Sequence, residues 1–134
     1  PFVAIAAFTS AVLSAALATL AMTVASRFGT SASDLAVTAL VAATGGATYA
    51  TVYAWASTFG DRGEGRFIAL FADWILGAGT GVLALPAPRA HLRALMGEAA
   101  PLHLSPRISF VALMVIAAAF TAFGIRRADS IRSR

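Results

Sequence analysis

A single carboxylate stands inside one of the longest apolar runs of the chain. Arg66 to Leu85 reads RFIALFADWILGAGTGVLAL, with Asp73 as its only acid and Gly77, Gly79 and Gly81 beginning one turn later. On a membrane-spanning helix an ionised side chain is costly, so it serves either ion or proton coupling or a buried polar contact. Seven residues separate Asp73 from Arg66, which sets it about 10 Å below the helix end. It shares a face with Arg66, Gly77, Thr80 and Ala84, whereas Ile68, Phe71, Ile75 and Val82 suit lipid. Asp73 is therefore expected to point into a bundle. In an antiparallel hairpin the matching depth on the preceding span lies near Val52–Tyr53. A buried tyrosine hydroxyl needs a partner, so Asp73, Tyr53 and Tyr49 form the expected intramembrane polar site.

Other chemistry has little support in the residue types. The chain holds no Cys, Lys, Asn or Gln, and all ten basic residues are Arg. Thiolate metal sites, disulfides and cysteine nucleophiles are thereby excluded. His91 and His103 are separated by Pro101, with Glu98 the nearest acid, so a zinc or haem site is not expected. No serine or threonine has a histidine at a matching depth, and no GxSxG occurs. The Gly60–Gly65 stretch GDRGEG is glycine-rich, but its spacing is not that of a phosphate-binding loop and no strand precedes it. The expectation is a non-enzyme with no cofactor.

The composition says what must position Asp73. The chain is 59% hydrophobic and only 12% charged, against about 25% charged in a soluble domain, and its mean hydropathy is +0.81. These values predict an all-α integral membrane protein. A single four-helix transmembrane domain over 1–134 is expected, with spans at about 2–26, 35–59, 66–85 and 107–125. The first run is too long for the apolar region of a signal peptide and lacks a basic leader, so it counts as a span. Ser31-x-x-Asp34 reads as a capping box before the second span. Pro86 and Pro88 stop the third, and Ser105-Pro106 opens the fourth. Between them, 89–100 reads as a short amphipathic interfacial helix, with Leu92, Leu95, Met96 and Ala99 on one face and Arg89 and Arg93 on another. Residues 126–134 form a basic C-terminal tail.

The net charge of +4 does not point to nucleic acid. Arg27, Arg66, Arg107, Arg126 and Arg127 stand at the ends of apolar runs, where they anchor spans at the headgroups. Counting Arg62, Arg66 and the four tail arginines against Arg27, Arg89, Arg93 and Arg107 gives six to four. The positive-inside rule then places both termini in the cytoplasm of a bacterial-type inner or plasma membrane.

Small residues suggest how the helices meet. Ala4, Ala7, Ala11, Ser14 and Ala18 form a stripe on the first span, and Ala42, Gly46, Ala50 and Ala54 form another on the second. Gly45–Gly46 and Gly77-x-x-x-Gly81, with Gly79 between, are read as helix-packing or subunit-interface patches. The leading expectation is a small non-catalytic membrane subunit that packs against and stabilises a larger membrane protein complex. A hetero-complex is preferred over a homo-oligomer, with lipids as the other partners. The alternative is an oligomeric transporter or channel for a small solute, proton or cation, its pathway lined by Asp73, Tyr49, Tyr53, Thr44, Thr48 and Thr51. A third idea is a bound lipid or pigment at the glycine patches.

Overall fold

The computed structural model describes residues 2–25, 29, 31–60 and 62–132. The expected anchor Arg27 lies outside them, as do Ser26 and the last two residues of the basic tail. Among the described residues five α-helices follow one another: α1 (Phe2–Ala25), α2 (Ala32–Ala56), α3 (Gly65–Leu76), α4 (Pro88–Leu95) and α5 (Pro106–Arg132). Short 3-10 turns at Val82–Ala84 and Pro101–His103 flank α4, and no strand occurs among the described residues. Among the described residues, three helices are long and apolar enough to cross a membrane, over Val3–Ala25, Ala32–Ala56 and Pro106–Ala128.

α1 and α2 form an antiparallel hairpin. Ser10 donates to the Gly46 carbonyl at 2.9 Å, and Thr38 meets the Met22 sulfur at 3.0 Å, so the pair is in register over most of its length. Gly46 permits the close approach: a Cβ there would lie 2.5 Å from the Ser14 hydroxyl and 2.7 Å from the Ser10 carbonyl. The start of α2 follows from Ser31, whose hydroxyl accepts the Asp34 N–H at 3.1 Å and caps the helix.

α5 runs parallel to α2. The Trp55 and Phe120 rings meet at 4.9 Å, and the Arg127 guanidinium lies 4.1 Å above the Phe59 ring. The C-terminal ends of α2 and α5 therefore share one side of the bundle with the start of α1. Thr44, Thr48, Thr51, Val52 and Ala56 form a buried stripe of α2, and Ser109 and Leu113 of α5 are also buried.

The expected third span over 66–85 is not continuous. α3 has 12 residues, about 18 Å of helix, and ends at Leu76. Three glycines in the next five positions each cost about 1 kcal/mol relative to Ala inside a helix. The carbonyls released by stopping there find other donors, described below. The expected surface helix over 89–100 is also corrected. α4 spans only Pro88–Leu95, and Gly97, at φ +90°, follows its end. One side, with Pro88, Ala90, His91 and Ala94, is buried, while Arg89, Leu92, Arg93 and Leu95 on the other stay half-buried. Ala90 and Ala94 leave a smooth side on which α4 packs closely, a face overlooked beside the larger Leu92, Leu95 and Met96. Finally, residues 126–132 of the expected tail continue α5 as helix.

Candidate functional site

Asp73 sits in the last turn of α3 with both carboxylate oxygens engaged. Tyr49 of α2 donates its hydroxyl to Oδ2 at 2.6 Å, and the Arg89 backbone N–H of α4 donates to Oδ1 at 3.1 Å. Arg89 is the second residue of α4, so the carboxylate caps that helix and faces the positive end of its dipole. The register follows from the hairpin. Gly65 presses its backbone onto the Ala56 carbonyl, where any Cβ would collide. Asp73 is then eight residues below Gly65, and Tyr49 seven below Ala56, so the two arrive at one level. Tyr53, one turn nearer the hairpin, does not bond Asp73. Its ring stacks on Tyr49 with centroids 5.7 Å apart and planes 17° apart.

The other half of the junction is made by Arg89 and Arg93. Arg89 donates through Nη1 to the Trp74 carbonyl at 3.3 Å, with its guanidinium 5.8 Å from the Trp74 ring centre. Arg93 Nη1 donates to the Gly77 and Ala78 carbonyls at 3.2 and 3.0 Å, while its Nε pairs with Glu98 at 2.7 Å. The final carbonyls of a helix have no partner within it; Arg89 supplies one to Trp74 in the last turn of α3, and Arg93 supplies the two carbonyls just past its end. The amphipathic pattern of 89–100 sets both arginines on a face apart from Leu92 and Leu95 but does not indicate this role. The available signal was their spacing: two arginines one turn apart, shortly after a glycine run that no longer helix could carry comfortably.

The glycine patches do not meet one another. Gly45 faces α4, where an added Cβ would stand 3.1 Å from Leu92, and Gly46 faces α1. Gly77 is buried, and a Cβ added there would stand 2.7 Å from the Arg89 Cβ. A Cβ added at Gly79 would meet only the Leu76 carbonyl, at 3.6 Å, and one added at Gly81 would meet nothing within 4 Å. Gly77, Gly79 and Gly81 therefore form no helix-packing ridge, because the chain there is not helical. Gly77 ends α3, and the other two lie in the exposed connection.

The hydroxyls of the expected transport pathway are divided. Thr44, Thr48 and Thr51 are buried, and each donates to a carbonyl of its own helix at 2.8 Å. They share a stripe with Trp55, towards α5, whereas Tyr49 and Tyr53 occupy the side towards α1 and α3. His91 is fully buried, with Nε2 2.8 Å from the Leu85 carbonyl. A carbonyl only accepts, so Nε2 carries the proton. His91 Nδ1 and the Ser109 hydroxyl are buried without a protein partner. His103 is exposed, and no group of three or more metal-ligating residues occurs among the described residues.

Arg66, Arg107 and Arg126 are exposed near helix ends. Arg127 folds over Phe59 and reaches the Thr58 carbonyl at 3.4 Å. What the Asp73 junction can do chemically is join three helices: its carboxylate holds α2 and the start of α4, while arginines from α4 hold the end of α3. No family model, curated protein or solved structure matches the chain.

Proposed function

We propose that the chain is a small, non-catalytic integral membrane subunit that packs against and stabilises a larger membrane complex. In this reading α3 and α4 together make the third of four crossings as an interrupted helix, and both chain termini face the cytoplasm of a bacterial-type membrane. The observation that carries the reading is the state of Asp73. Both of its oxygens are bonded within the chain, to Tyr49 and to the Arg89 backbone, as a structural strut requires. The periphery fits as well: Phe8, Leu17 and Leu20 of α1 and Phe67, Phe71 and Trp74 of α3 all face outward. In a bilayer such surfaces meet lipid or a neighbouring helix.

A second reading is an oligomeric transporter that uses Asp73. It is favoured by the meeting of two short helices near the level of Tyr49, since carriers place discontinuous helices at their binding sites. The self-bonded Thr44, Thr48 and Thr51 count against it. Purification in mild detergent, with identification of co-purifying chains, tests the subunit reading in wild type and in Asp73→Asn. Loss of assembly without any flux to lose supports the subunit. Intact assembly with abolished pH-dependent flux in reconstituted vesicles would overturn it in favour of transport.

A further inference from the structure

We propose that the lateral groove between α1, α2 and α4 holds an acyl chain of a glycerophospholipid with a net negative charge, whose phosphate is held by Arg89. The proposal rests on residence in a bilayer and not on the subunit reading.

The groove arises from the way the helices are joined. α1 leans on α2 through Ser10, Ser14 and Gly46, while α4 is seated over Gly45 through Leu92. Between these contacts a furrow of about 850 Å³ stays open to the side, walled by Ala18, Val41, Leu92, Leu95 and Met96. Its floor is deep because Gly45 and Gly46 contribute no side chains. A laterally open apolar furrow in a membrane borders on lipid tails. Left empty, its walls would lose dispersion contacts, which one flexible hydrocarbon chain restores.

The head group is set by charge. The furrow shares Tyr49, Leu92 and Met96 with a second cavity of about 590 Å³, on which Arg89 and Arg93 also open. Arg93 is matched by Glu98. Arg89 is different. Its guanidinium rests on a carbonyl and an indole ring, and among the described residues no carboxylate lies within 4.0 Å of it. Asp73 meets only the backbone N–H of Arg89, so most of the five guanidinium donors remain open. A guanidinium in this state suits a phosphate, which accepts two of its N–H groups at once. The quaternary ammonium of a zwitterionic choline lipid is repelled by the same charge. Furrow and cation, joined through Tyr49, Leu92 and Met96, fit one molecule with an apolar tail and an anionic head.

The experiment uses the purified chain in non-ionic detergent with an equimolar mixture of phosphatidylglycerol and phosphatidylcholine of identical tails, read by native mass spectrometry. Phosphatidylglycerol is expected to be retained roughly fivefold over phosphatidylcholine, the weight of about one arginine–anion contact. Arg89→Gln should abolish that preference while leaving lipid bound. Met96→Trp, at the exposed rim of the furrow, should displace both lipids. Circular dichroism melts confirm that each variant is folded. Equal retention of the two lipids by wild type overturns the proposal, as does a preference that survives Arg89→Gln. It also falls if the lipid-free chain is a dimer that Met96→Trp converts to monomer, because the furrow then holds a second copy.

Discussion

Tyr49 and Asp73 lie 24 positions apart in the chain and meet at 2.6 Å where α2 passes the last turn of α3. The hydroxyl points at one carboxylate oxygen while the other caps α4. Removing the hydroxyl alone isolates its contribution. Tyr49→Phe leaves a half-buried carboxylate oxygen without its donor and should cost about 1.5–3 kcal/mol, the range for a hydrogen bond to a charged group. Tyr53→Phe keeps the stacked ring, loses no bond to Asp73, and should change stability by less than about 0.5 kcal/mol. Unfolding in mixed micelles measures both, and equal losses would contradict the assignment of Tyr49 as the partner.

The two halves of the Asp73 contact separate in a pair of substitutions at that position. Asp73→Asn keeps an oxygen for the Arg89 N–H and should lose about 1 kcal/mol. Asp73→Leu strands both the Tyr49 hydroxyl and the Arg89 N–H and should lose about 3 kcal/mol. The same unfolding assay ranks them, and a Leu variant no weaker than Asn would show that the cap on α4 contributes nothing.

Glycines of similar appearance should respond in opposite ways. Gly46→Ala drives a methyl group towards Ser14 and the Ser10 carbonyl and should cost about 1–3 kcal/mol through displacement of α1. Gly79→Ala and Gly81→Ala meet open space or ordinary contact and should stay within about 0.5 kcal/mol of wild type. Thermal melts of the three variants decide; a damaging Gly81→Ala would mean that the 77–81 stretch packs against something.

Arg93 and Glu98 pair at 2.7 Å, but only one of them closes the end of α3. Arg93→Ala leaves the Gly77 and Ala78 carbonyls without their donor and should cost about 1–3 kcal/mol. Glu98→Ala removes one side of an exposed ion pair and should cost under about 1 kcal/mol. Hydrogen exchange over 74–81 gives an independent reading, rising in Arg93→Ala and unchanged in Glu98→Ala.

The three long helices were legible because uninterrupted apolar runs with capping signals at Ser31 and Ser105 leave few alternatives. The level of Asp73 was close to legible as well. Helix arithmetic from Arg66 points to Val52–Tyr53, and the bond goes to Tyr49 because α2 stops at Ala56 and Gly65 closes tightly on it. The break after Leu76 was hidden. Residues 67–85 are apolar apart from Asp73 and Thr80, and glycines in such a run read equally well as helix packing or helix end. What decides is whether distant donors exist for the freed carbonyls, and Arg89 and Arg93 are recognisable as those donors only once α4 is placed. His91 was obscured in the same way, since its burial depends on α4 docking through Ala90 and Ala94 rather than lying flat.

The parallel course of α2 and α5 bears on how the chain enters a membrane. Between them the polypeptide must return to the opposite side, and α3, at 12 residues, is shorter than the roughly 20 that an independent span needs. An insertion machinery can recognise α1, α2 and α5 by their own hydropathy, but not α3. Until Asp73, Tyr49 and Arg89 come together, only the arginines flanking α5 bias its sense of insertion. The carboxylate contact then acts as a selector of topology. Weakening it should yield a mixed population, with the C-terminal end of α5 found on both faces of the membrane, and a compartment-sensitive reporter fused there would register the mixture.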